Sequence, residues 1–166
     1  MTNSKLMETS VNIIIRFKDT KTKHLYLESL IKLSSFETFF NSISNISEAM
    51  DSWFDFCKKL FKKALSNKDT VYSMIYFIKY FLRFLSNIAL YGKGNKNIWI
   101  WLTQNDLEDF LYSLLEYLST KDSELITELL TTYANLFQCE TIVKFYNYEN
   151  IIESIHHNYK FICGKS

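Results

Sequence analysis

Proline is absent from this sequence, and glycine occurs only three times in 166 residues. Because these two residues punctuate most turns and loops, their scarcity argues against a strand-rich fold and against long irregular segments. Apolar residues make up 48% of the chain and charged residues only 22%, a balance that also argues against disorder. We therefore expect an all-α protein in which long helices are joined by short polar connections.

The cysteines show no disulfide framework. They are odd in number, widely spaced and without a CxxC pair: Cys57, Cys139 and Cys163. Such usage suits a reducing compartment. The N-terminal residues also lack the long apolar run and small-residue cleavage site of a signal peptide. The sequence thus predicts a cytoplasmic protein.

Residue patterns for catalysis, metals and cofactors are also missing. His156 and His157 are adjacent, so on a helix they point about 100° apart, and their spacing from the cysteines matches no zinc pattern. The terminal Gly164-Lys165-Ser166 lacks the upstream glycine of a phosphate-binding loop, and no nucleophile-elbow or zinc-protease motif occurs. We predict neither an enzyme nor a bound metal or cofactor.

Charge is balanced overall but unevenly distributed. The net charge of +1 does not indicate a nucleic-acid-binding protein. Residues 1–100 carry 15 of the 19 basic and 8 of the 18 acidic residues, a net charge of +7, and residues 101–166 carry −6. The most apolar stretch, 71–90, is long enough for a bilayer but contains Lys79 and Arg83, each costing about 2.5–3.5 kcal/mol at a membrane centre. We expect this stretch to be a buried core helix and not a membrane span.

Apolar residues recur at helical spacing along nearly the whole chain. The predicted helices are 4–17, 22–33, 35–44, 47–66, 70–90, 95–104, 106–119, 123–137, 140–147 and 149–161. Candidate N-caps are Asp69, Asp122, Ser35 and Ser47, and Gly92 follows a long helix, where glycine can take the left-handed conformation of a C-cap. The residues at 99 and 101 are both Trp. They point about 200° apart on a short helix, so only one of them is expected to face the core.

A weak internal repeat runs through these helices. Asp19, Asp69 and Asp122 each follow a Lys and precede a hydroxyl residue, and they lie 50 and 53 residues apart. A period near fifty with about three helices is typical of stacked helical repeats. We predict one domain, 1–166, with approximate units 1–66, 67–119 and 120–166.

Residues 80–137 resemble the armadillo repeat, and within it the ataxin-10 family. The similar positions are the Phe-Leu-Ser-Asn-Ile-Ala helix end at 84–89, Asn97, the Ile-Trp pairs at 98–101 and Phe110-Leu111. The resemblance implies a right-handed armadillo- or HEAT-like solenoid of about three repeats. It also implies a cytoplasmic adaptor linked to cytokinesis or cell survival, without enzyme activity. Proteins of that family are much longer, so the chain would be a fragment or a shortened relative.

Asn87 and Asn135 occupy the helix position where peptide-binding armadillo proteins hold an extended peptide backbone. Those proteins also carry a Trp one turn earlier, whereas this sequence has Arg83 and Thr131 there. The competing interpretation is that each Asn caps or cross-links neighbouring helix ends.

Two sets of basic residues are further partner-binding candidates. Lys79 and Arg83 lie one turn apart on the most apolar helix, where they could line a binding face or pair with acidic residues of the next repeat. A second set forms one strip on its helix: Lys58, Lys59, Lys62 and Lys63. That strip fits an acidic partner. Lysines near the C-terminal end of a helix also stabilise the helix itself, by about 0.3–1 kcal/mol per charge, because they interact favourably with the helix dipole.

Taken together, these patterns predict a protein–protein interaction scaffold. The alternative is a compact helical bundle that binds a partner helix in a groove, as viral death regulators do, although the Asn-Trp-Gly-Arg signature of that groove is absent. Residues 149–161 keep an apolar side, which suits pairing with another copy as a homodimer or with additional C-terminal repeats. The expected partners are other proteins.

Overall fold

The computed structural model describes Thr9 and residues 20–41, 46–66, 71–92, 95–103, 105–118 and 123–163. In this part of the chain the regular secondary structure is entirely α-helical, which confirms the predicted all-α class. The helices are α1 (Thr20–Ser34), α2 (Glu37–Asn41), α3 (Ile46–Ser66), α4 (Val71–Tyr91), α5 (Lys96–Leu102), α6 (Asn105–Leu118), α7 (Ser123–Leu136), α8 (Glu140–Phe145) and α9 (Tyr148–Cys163). Each lies within a few residues of a predicted helix. The predicted helix 4–17 falls outside the described residues except for Thr9, which is helical.

Helix lengths follow a repeating order. A short helix and two longer ones form α2 to α4, the same order recurs in α5 to α7, and α8 and α9 begin it again. Helix α4 packs against both α1 and α7, and we call these three helices the central layer. Helices α3, α6 and α9 form a second layer, because α6 packs against α9 and shares ring contacts with α3.

Aromatic side chains fill the space between the two layers. Trp53 of α3 lies with its ring centroid 5.0 Å from Phe84 and 5.6 Å from Phe81, both on α4. Phe54 stacks on Phe81 at 5.8 Å and meets Phe110 of α6 edge-on at 5.3 Å. All five side chains are buried, and each contributes roughly 1.5–3 kcal/mol through loss of contact with water. The core therefore joins the layers across residues far apart in sequence.

The two tryptophans of α5 differ in burial, as their spacing predicts. Trp101 is buried and its indole Nε1 donates a hydrogen bond to Asp51 Oδ1 at 2.6 Å, whereas Trp99 is half-buried against the edge of the core. Since Asp51 lies on α3, this bond ties the short helix to the second layer.

Helix ends differ in part from the sequence expectation. No described residue, glycine or other, has a positive φ, so Gly92 does not end α4 in the left-handed conformation. A Cβ at Gly92 would lie 2.6 Å from the Ile88 carbonyl oxygen and 3.0 Å from Ile98 Cδ1. Glycine is needed there mainly because a Cβ would clash with the Ile88 carbonyl of α4, and it would also crowd Ile98 of α5.

The predicted caps have mixed outcomes. The Ser35 hydroxyl donates to the Lys32 carbonyl at 2.7 Å, a contact at the end of α1. Asn95 caps α5 by accepting from the backbone N–H of Asn97 at 3.1 Å, while its amide donates to the Phe40 carbonyl. The side chain of Ser47 and the residues Asp19, Asp69 and Asp122 lie outside the described part.

Helix α4 is the core helix that the sequence predicts. Phe81, Leu82 and Leu85 are fully buried on it. Among the described residues, no helix combines the length and apolarity needed to cross a membrane.

Candidate protein-binding surface

Two parallel ion pairs connect α4 to α7 in the central layer. Lys79 pairs with Glu124, and one turn further along both helices Arg83 Nε donates to Glu128 Oε1 at 2.6 Å. We call these four residues the ion-pair ladder. Lys79 and Arg83 thus contact acidic residues of another helix directly, and that this helix belongs to a following repeat stays a prediction.

Each rung of the ladder leaves one charge accessible. Glu124 is exposed and Arg83 is partly exposed, whereas Lys79 and Glu128 are mostly covered. The hydrogen bond from Lys79 lowers the pKa of Glu124, and the hydrogen bond to Glu128 raises the pKa of Arg83. Glu124 and Arg83 therefore stay ionised around neutral pH and present one negative and one positive group at the surface.

An aromatic cluster extends the ladder towards α1. The hydroxyls of Tyr76 and Tyr80 lie 2.5 Å apart, and Tyr80 also donates to Glu28 of α1 at 3.4 Å. The His24 ring sits 3.6 Å from the Tyr76 ring, and the Arg83 guanidinium lies 5.9 Å from the Tyr80 ring. Burial lowers the pKa of His24 and raises that of Tyr80. Sequence reasoning missed this cluster, although Tyr76 and Tyr80 share the helix face of Lys79 and Arg83.

The two candidate asparagines bind the preceding helix of the central layer. Asn87 Nδ2 donates to Ser34 Oγ at 2.9 Å and to the Ile31 carbonyl at 3.2 Å, and Asn135 Nδ2 donates to Ser86 Oγ at 2.5 Å. Both amides therefore cross-link neighbouring helices, as the competing interpretation states. In this arrangement the amide nitrogens of both asparagines already donate hydrogen bonds within the chain.

The lysine strip on α3 is not uniform. Lys58 contacts Asp55 at 3.0 Å and Asp106 of α6 at 3.4 Å, and its ammonium lies 4.4 Å from the centroid of the Phe54 ring. These contacts raise its pKa, with the hydrogen bond to Asp55 as the largest cause. The other three lysines of the strip, Lys59, Lys62 and Lys63, are exposed. Lys58 thus joins two helices, and its three neighbours remain at the surface.

An open groove lies beside this strip, between α3 and α6. It encloses about 640 Å³ and is lined by Lys58, Phe61, Lys62, Leu65, Asp106, Asp109, Phe110, Ser113, Glu116 and Tyr117. Phe61 meets Phe110 and Tyr117 edge-on at 5.8 and 5.4 Å, forming an apolar floor. The α3 wall is basic and the α6 wall is acidic. The sequence did not indicate this groove, because its two walls are about fifty residues apart.

The groups considered for metals and redox chemistry lie apart from these surfaces. His156 and His157 are exposed on α9, and within the described residues no three His, Cys, Asp or Glu side chains are grouped so that they could hold a metal ion. Cys57 is buried in the core, which raises the pKa of its thiol well above the usual value.

Comparison with known proteins found no matching family, no matching curated protein and no matching solved structure.

Proposed function

We propose that this chain is a right-handed stack of about three armadillo- or HEAT-like units, located in the cytoplasm, that binds other proteins and performs no catalysis. The observation that carries the proposal is the regular sequence separation of the contacts within the central layer. Asn87 and Ser34 are 53 residues apart, Asn135 and Ser86 are 49 apart, and Thr132 bonds the Leu82 carbonyl 50 residues away. Stacked units of about fifty residues produce such a constant offset.

The second layer and the short helices have the same offset. Trp101 bonds Asp51 across 50 residues, Lys58 bonds Asp106 across 48, and Tyr146 donates to the Leu102 carbonyl across 44. Two of these bonds join helices with the same place in the order of lengths, α3 to α6 and the end of α8 to α5, and the third joins the short α5 to α3. Because the contacting residues have similar sequence separations, they support stacked units over a helical bundle. In a bundle, each pair of contacting helices would have its own sequence separation.

The order of helix lengths supports the armadillo type in particular. An armadillo unit has a short first helix and longer second and third helices, so α2–α4 and α5–α7 would each be one unit. That division places unit boundaries before each short helix, close to residues 37 and 96, and not at 67 and 120. A role in cytokinesis or cell survival, implied by the resemblance to the ataxin-10 family, belongs to the same proposal.

The partner surface in this proposal is the face of the central layer that bears the ion-pair ladder. Third helices line the concave face of an armadillo stack, and here they carry both a cation and an anion near the surface, Arg83 and Glu124. A protein partner with matching charges would gain specificity and association rate from this pattern. The neighbouring Tyr76, which is half-buried, adds aromatic contact area of the kind enriched in protein interfaces.

Charge reversal separates binding from folding at this surface. The variant K79E/R83E breaks both rungs, whereas the fourfold variant K79E/R83E/E124K/E128K restores them with opposite polarity. Cross-linked partner complexes from cells would be compared by mass spectrometry, and folding would be followed by circular dichroism. We expect both variants to lose the partners of the wild-type chain, while the fourfold variant keeps the wild-type melting temperature.

Two outcomes would contradict this assignment. Partners retained by K79E/R83E would show that the ladder is not the binding surface, and partners recovered by the fourfold variant would show that the ladder acts only structurally. The matched control is K59E/K63E on α3, whose lysines are exposed; loss of partners in that variant alone would place binding on the lysine strip. If the chain captures no protein beyond those that an unrelated helical protein also captures, the scaffold proposal itself is contradicted.

A further inference from the structure

An apolar stripe lies on the side of α1 that faces away from the core. Leu25 is 58% exposed and Leu33 43% exposed, and Phe36, directly after the helix, is 62% exposed. Residues with these spacings share one side of a helix, whereas Leu27 and Leu30 on the opposite side are buried. We call Leu25, Leu33 and Phe36 the α1 stripe. These three large apolar side chains, exposed on one side of the chain, make this side a candidate contact surface.

The α3–α6 groove is a second apolar surface of complementary form. Leu65 at its rim is 53% exposed, and the aromatic rings of Phe61, Phe110 and Tyr117 form its floor. A groove between two helices, with an apolar floor and charged walls, is the form of site that receives the apolar side of a third helix. Its open rim distinguishes it from a small-molecule pocket, which encloses about 70–90% of its ligand.

We propose that the α1 stripe of one copy of this chain docks into the α3–α6 groove of a second copy. Charge complementarity selects this occupant. The stripe is flanked by exposed Lys32, in the last turn of α1, and by exposed Glu37, at the start of α2. The groove offers acidic Asp109 on its α6 wall and basic Lys62 on its α3 wall. Each charge beside the stripe therefore finds one of opposite sign in the groove.

The charge distribution of the whole chain favours the same encounter. Residues 1–100, which contain the stripe, have a net charge of +7, and residues 101–166, which supply the acidic wall, have −6. Opposite charges on two parts of one molecule steer copies together and are screened by salt. The contact joins two different surfaces, so it closes as a dimer only if both copies can exchange stripes, and otherwise extends as a chain.

Sedimentation velocity of the full chain over a concentration series tests the proposal. The wild type should associate reversibly, and association should weaken as salt is raised. L33E in the stripe and L65E in the groove should each raise the dissociation constant about tenfold or more. Both positions are partly exposed, so these variants should keep the wild-type helical signal. The matched control is F145E, because Phe145 is 61% exposed but belongs to neither surface.

Mixing the two variants identifies the surfaces. L65E retains an intact stripe and L33E retains an intact groove, so an equimolar mixture should form a complex that neither variant forms alone. K32E should also weaken association, and K32E/D109K should recover most of it because opposite charges again face each other. A wild-type chain that stays monomeric at all concentrations would overturn the proposal. So would a mixture that stays monomeric, or an L65E variant that associates like the wild type.

Discussion

At the scale of single residues, the asparagines show that one amide can serve either recognition or stacking. Asn87 and Asn135 hold equivalent places on α4 and α7, and each donates to a serine hydroxyl on the preceding helix of the central layer. Those serines, Ser34 and Ser86, are buried. A hydrogen bond of this kind contributes about 0.5–1.5 kcal/mol to stability, so these bonds help to hold α1 to α4 and α4 to α7.

Removing either amide should therefore destabilise the fold. We expect N87A and N135A each to lower the free energy of unfolding by about 1–2 kcal/mol, measured by urea denaturation. N150A is the matched control, since Asn150 is exposed on α9 and its loss should change stability by less than about 0.5 kcal/mol. Equal effects in the three variants would show that the amides do not couple the helices.

At the scale of elements, the ion-pair ladder is a charged link between α4 and α7, which pack together more extensively than any other helix pair of the described chain. Its rungs are four residues apart on both helices, so the two helices are held at two successive turns. Apolar packing supplies most of the stability of this contact, because ion pairs near solvent contribute little. The ladder instead sets the register in which the two helices meet.

Stability should depend on pH through one rung of the ladder. Lys79 lowers the pKa of Glu124 below its usual value of 4.5, so the unfolded chain binds a proton more readily than the folded chain. The rung therefore stabilises the fold above that value, and the contribution is lost as pH falls through the lowered pKa. We expect K79M to flatten the dependence of melting temperature on pH between about pH 5 and pH 3. K96M, which changes an exposed lysine on α5, should retain the wild-type slope; an equal slope in K79M would contradict the assignment.

At the scale of the whole molecule, the aromatic core joins both layers and encloses Cys57. This thiol is fully buried on α3, whereas Cys139, between α7 and α8, is partly exposed. Since the core includes side chains of α3, α4 and α6, access to Cys57 requires these helices to separate.

Thiol labelling thus reports on the cooperativity of unfolding. In a C139S/C163S background, Cys57 should react with a thiol reagent only through global unfolding, because burial both excludes the reagent and raises the pKa of the thiol. The free energy obtained from labelling rates should equal that from urea denaturation. The matched variant C57S/C163S should label rapidly at Cys139 under native conditions. Rapid labelling of Cys57 as well would show that the units open separately.

Local patterns in the sequence were sufficient for the helices and for the burial of α4. A helix repeats its hydrogen bonds and its apolar face within four residues, so contiguous residues encode it. The same local geometry predicted that only one of Trp99 and Trp101 enters the core. The period near fifty stays a prediction, drawn from the similar helix ends at 85–89 and 133–136.

Only the tertiary structure decided what these helices touch. The serine partners of the two asparagines, the bridge from Lys58 to Asp106 and the α3–α6 groove all join residues about fifty positions apart. Such contacts depend on helix crossing angles and on the rotamers at each interface, which no short stretch of sequence specifies. Gly92, expected in a left-handed cap, is required instead because a Cβ would clash with the Ile88 carbonyl of α4 and crowd Ile98 of α5.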